Sequence, residues 1–97
     1  MSDNVPTSID EIEFSPHLRA INGTRALLKF SNGYGASIIT GSCFYTDENR
    51  PYELAVFHNG SIDYSHGIED NTDVFGYCDA KRVLALLKAI SELPARA

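Results

Sequence analysis

At 97 residues, with 43% apolar and 22% charged side chains, the chain has the composition of one small globular domain and not of a disordered segment. A domain of this size buries roughly 60–70% of its extended surface, enough for one core but with little room for a deep, enclosed active site. The net charge of −5 argues against general affinity for nucleic acid or for a membrane surface, because phosphate contacts need clustered Lys and Arg.

Met1 to Thr7 is expected to fray. No apolar stretch follows Met1, so no leader peptide is expected. No run approaches the ~20 apolar residues of a membrane span. A cytoplasmic protein is therefore expected, with Cys43 and Cys78 both present as thiols. Ser8-Ile9-Asp10-Glu11 reads as a capping box, and Pro16 limits any helix there to about two turns.

Asn-Gly then occurs three times, as Asn22-Gly23, Asn32-Gly33 and Asn59-Gly60. Between apolar segments this dipeptide signals a two-residue hairpin of type I′, which needs φ > 0 at both central positions. The flanking segments suit strands: Arg25 to Phe30, Tyr34 to Thr40, Tyr52 to His58 and Ser61 to Tyr64. Pro51 stands where a strand begins, which is a permitted place. Gly41 to Arg50 reads as a strand extension ending in a loop, and Ile68 to Tyr77 as irregular and acidic.

The stretch FSNGYG, residues 30–35, has two glycines of a dinucleotide-binding fingerprint. That fingerprint needs a third glycine and a following helix. Here Ile38 occupies the third position and the next residues are strand-like, so the stretch is read as a hairpin tip. Gly35, lacking a Cβ, either admits a close neighbour or marks a bulge.

After Asp79 the period changes. Val83, Leu86, Leu87, Ile90 and Leu93 form the stripe of an amphipathic helix, with Asp79 as its cap and Pro94 marking its end. No repeat, linker or low-complexity segment divides the chain, so residues 1–97 are expected to form a single domain. The expected fold class is α+β: an antiparallel β-meander of four or five strands with the C-terminal helix packed on one face. One helix covers one sheet face. Leu27, Ile39, Ala55 and Phe57 then fall on the other, and homodimerisation is the economical way to cover them.

Candidate chemistry is sparse. His17, His58 and His66 are scattered; a Cys–His pair with Cys43 or Cys78 has no local signature, and surface histidines with buried thiols account for the same residues. Between Pro51 and Ala80 lie six acids (Glu53, Asp63, Glu69, Asp70, Asp73 and Asp79) without any Lys or Arg. The segment Glu69 to Asp73 lacks EF-hand spacing. It reads as a solvated loop, as a surface for a basic partner, or as a metal site, in that order. Lys81 and Arg82 oppose the helix dipole. Either they pair with Glu69, Asp70 or Asp73 or face water at small cost, or they contact a partner. No catalytic residue, cofactor or metal is expected.

Three blocks carry a resemblance: Phe30-Ser31-Asn32-Gly33-Tyr34-Gly35-Ala36-Ser37-Ile38-Ile39, then Tyr52-Glu53-Leu54-Ala55-Val56, then Asp73-Val74-Phe75-Gly76-Tyr77 before the helix. Their order resembles a family of small bacteriophage and prophage proteins that reads F-x-N-G-Y-G-A-S-V-I, Y-E-L-A-V and D-V-I-G-Y-L-T. Leu28 to Leu93 is covered. The chain departs from the pattern at Ser42-Cys43-Phe44-Tyr45, where the family has Tyr-Gly-Gly, and at Ala80-Lys81-Arg82, where its helix begins with acids. No catalytic residues carry over. The resemblance implies a phage accessory product in the bacterial cytoplasm, of the kind that inhibits host defences such as CRISPR complexes.

The expectation is a non-catalytic protein that binds a macromolecular partner, a host or phage complex with a basic surface, through Glu69, Asp70, Asp73, Phe57, Lys81 and Arg82. The alternatives are a homo-oligomeric structural or regulatory phage protein and, more weakly, a small hydrolase or nucleotide-binding enzyme.

Overall fold

The computed structural model of the chain describes residues 5–16, 23–40, 51–63, 67–68 and 74–94. These form one antiparallel sheet and one helix, the α+β arrangement that the periodicity implied. The strands are β1 (Ser15–Pro16), β2 (Thr24–Lys29), β3 (Tyr34–Thr40), β4 (Tyr52–His58), β5 (Ser61–Ile62) and β6 (Val74–Cys78), followed by helix α1 (Ala80–Ser91). Their order is β1-β2-β3-β4-β5, and β6 also pairs with β4. β5 takes the His58 end of β4 and β6 takes the Tyr52 end.

Side-chain alternation decides which face is core. The register sets Ala26 against Ile38, Ile38 against Leu54, and Ala36 against Val56. All five are buried, and Val83, Leu86, Leu87 and Ile90 of α1 bury their stripe with them in one cluster. Asp79 caps the helix as expected, its carboxylate accepting the Arg82 backbone N–H at 2.8 Å.

The two described Asn-Gly turns differ. At Asn59-Gly60 both residues have positive φ, 50° and 88°, the I′ signature. At Asn32-Gly33 only Gly33 is left-handed, with φ 87°. Gly33 N donates to Phe30 O at 3.3 Å and Phe30 N to Tyr34 O at 2.8 Å, which makes a three-residue loop closed by a glycine bulge. The expected two-residue turn at this position is thus corrected. The reason lies in the Asn32 side chain, which has other work. Its Nδ2 donates to Ile90 O (2.9 Å), Ser91 O (3.3 Å) and Leu93 O (2.9 Å), while its Oδ1 accepts from Tyr34 N (3.0 Å). The last carbonyls of a helix have no partner within it. Here the hairpin tip supplies one.

Three further differences from the sequence reading stand out. Val74–Cys78, read as part of an irregular segment, is a strand. The N-terminal capping box yields a single 3-10 turn, Ile9–Glu11, with Ser8 Oγ accepting from Asp10 N at 3.3 Å and Glu11 reaching back to Thr7 N at 2.9 Å. Pro16 does not only limit a helix: it ends a two-residue edge strand, where its missing N–H costs no ladder bond.

Candidate functional site

The face opposite α1 is built of three cross-strand rows. The register aligns Arg25, Ile39 and Glu53; then Leu27, Ser37, Ala55 and Val74; then Lys29, Gly35, Phe57 and Ile62. Leu27, Ile39, Ala55 and Phe57 therefore do share the face opposite α1. Leu27 is 58% and Ile62 41% exposed, at opposite edges of the sheet. The centre is tighter, with Ser37 at 9% and Glu53 at 8%.

In the third row Gly35 contributes no side chain, and the gap between Lys29 and Phe57 opens as a groove of about 480 Å³. Arg25, Leu27 and Lys29 line one wall, Phe57 and Gly60 the other. The glycine is required locally, because a Cβ at 35 would collide with the Leu28 carbonyl oxygen. A backbone demand for close approach thus has a surface consequence on the same strand.

The expected interface residues do not converge. Phe57 is half-buried on this open face. Lys81 and Arg82 lie on α1, on the other side of the sheet. Lys81 is exposed; Arg82 is half-buried, its guanidinium 5.6 Å from the centroid of Phe75, a cation–π contact. That contact gives Arg82 a packing role that neither earlier alternative included. Glu69, Asp70 and Asp73 lie outside the described residues, as do Cys43, His17, His66 and the Gly41 to Arg50 segment.

The Cys–His alternative loses one pairing. Cys78 is buried beside Tyr52, its Sγ 3.3 Å from Phe75 O. His58 lies at the far end of β4, about 20 Å along the strand. It packs against Tyr34 with ring centroids 4.7 Å apart. Among the described residues no group of three or more His, Cys, Asp or Glu is placed to hold a metal ion. No helix there is long and apolar enough to cross a membrane.

Two features escaped the sequence reading. Arg25 and Lys29 flank Leu27 on one strand face, a pattern visible in the alternation R-A-L-L-K. Tyr77, 47% exposed, has φ 53° at the irregularity between β4 and β6. Phe75 and Cys78 both turn inward across it, which inserts one extra residue, as in a β-bulge. No sequence signal marks Tyr77 for that conformation, since Gly76 beside it is the residue the conformation favours. No family model, curated protein or solved structure matches the chain.

Proposed function

We propose that this protein is a non-catalytic binding protein that engages a macromolecular partner through the open face of its sheet. The observation that carries the reading is the pair of exposed apolar side chains, Leu27 and Ile62, bracketing half-buried Phe57, Ala55 and Val74 on the face α1 does not cover. Apolar surface grouped in this way favours association. The resemblance of the three sequence blocks to small phage proteins supports a phage accessory role in the host cytoplasm, with a host defence complex such as CRISPR–Cas as the target.

The test is phage plating on a host with an active defence. Expression of the chain should raise plating efficiency, and Leu27→Asp with Ile62→Asp should remove the effect while leaving the far-UV spectrum intact. Unchanged plating across a panel of defence systems would sink the defence reading. A second reading, homo-oligomerisation, draws on the same apolar face. Sedimentation velocity separates the two: a dimer that the double substitution dissolves supports self-association.

A further inference from the structure

We infer that the outer edge of β2 takes up an extended segment of another protein, one whose side chains alternate between carboxylates and apolar groups. The inference rests on the reading of this chain as a binding protein and does not involve the Glu69 to Asp73 segment.

β2 is only partly covered. β1 pairs with Thr24 and Arg25, and among the described residues nothing pairs with Leu27 to Lys29 on that side. Phe30 N donates to Tyr34 O, so by antiparallel alternation the amides of Leu28 and Ala26 face β3. Those of Leu27 and Lys29 then point outward. Such an edge is a template for strand addition, in which backbone bonds give affinity and alternate side chains give specificity.

The chemistry on the two sides of that edge differs. On the open face an added strand would meet Arg25, Leu27 and Lys29, with two exposed cations roughly 13 Å apart. The groove beyond them is lined by no carboxylate among the described residues. Side chains directed there should be acidic. On the α1 side the strand would enter a notch of about 500 Å³ where the N-terminal segment diverges from β2, bordered by Ile12, Ala26 and Leu28. Glu11 and Glu13 also line this notch and outnumber the one cation that reaches it, Arg25, so the notch is net acidic and side chains directed there should be apolar. The charge pattern disfavours a second copy. Antiparallel pairing of β2 with itself about Leu27 would set Arg25 opposite Lys29 of the other copy, like against like.

Selection of a displayed random 12-residue peptide library on the full chain tests this. Enriched peptides should alternate Asp or Glu with Val, Ile or Tyr. Synthetic versions should bind at least about tenfold more weakly to R25E/K29E and weaken with salt. Leu27→Pro deletes an outward amide while keeping the bonds to β3, and it should also abolish binding. Amide exchange at Leu27 and Lys29 should slow in the complex. Basic or helical consensus peptides, undiminished binding to either variant, protection away from β2, or no enrichment at all would each overturn the inference. Because the selection needs no host target, its outcome is independent of the plating experiment.

Discussion

Asn32 and Gly35 show how single residues in one hairpin settle distant structure. Asn32 bridges to carbonyls 58 to 61 positions later in the chain. Its replacement by Ala removes the side-chain donor to Ser91 O and Leu93 O at a half-buried helix end, and leaves Ile90 O to backbone donors such as Leu93 N. Asn32→Ala should therefore cost about 1–3 kcal/mol in urea unfolding. An Asn32→Asp variant should fare no better, since a carboxylate has no donor to offer and adds charge at the negative end of the helix. Gly35 is constrained differently. A Cβ there meets backbone, which cannot swing aside as a side-chain tip can. Gly35→Ala should destabilise by about 1–3 kcal/mol, by forcing β2 and β3 apart. A melting temperature equal to wild type would show that the strands accommodate the methyl group.

At the scale of elements, the helix and the central strands were legible because burial follows period. Of the stripe read from the sequence, Val83, Leu86, Leu87 and Ile90 lie in the core, while Leu93 falls past the end of α1 and packs partly buried against it. Leu87→Ala should accordingly cost about 2–5 kcal/mol, whereas a loss under about half a kcal/mol would mean that the stripe does not carry the packing. β6 was hidden for two physical reasons. It is five residues long, and its inserted residue breaks the alternation that would have declared it. The turn at Asn32-Gly33 was placed correctly, but its type was not. Turn statistics weigh backbone preference, whereas here Asn32 serves a helix that the local sequence does not reveal. Of the candidate interface, Phe57 and its face could be read from alternation; the groove could not, because it depends on which row across three strands receives the glycine.

For the whole molecule, charge and apolar surface make separate demands. The net charge of −5 coexists with a β2 edge whose exposed charges are Arg25 and Lys29. A basic partner should be steered by the acidic segment, and this effect appears in the association rate and fades with salt. Neutralising Glu69, Asp70 and Asp73 to Gln or Asn should slow capture of such a partner at low ionic strength while leaving the urea-unfolding midpoint unchanged. Stopped-flow association rates equal to wild type would show that the acidic segment does not steer capture.

The hydrogen bonds from Asn32 to the end of α1 also bear on how the chain acquires its structure. Every strand precedes α1 in the sequence, so during synthesis the apolar face of Ile38, Leu54 and Val56 exists before its cover does. The hairpin tip cannot close its bonds until residues 90–93 have been made. Contacts of such long sequence separation slow folding and leave the intermediate prone to aggregation. A nascent form of this protein therefore lacks the helix that covers the face of Ile38, Leu54 and Val56. A ribosome-associated chaperone should find it a better client than its length alone suggests.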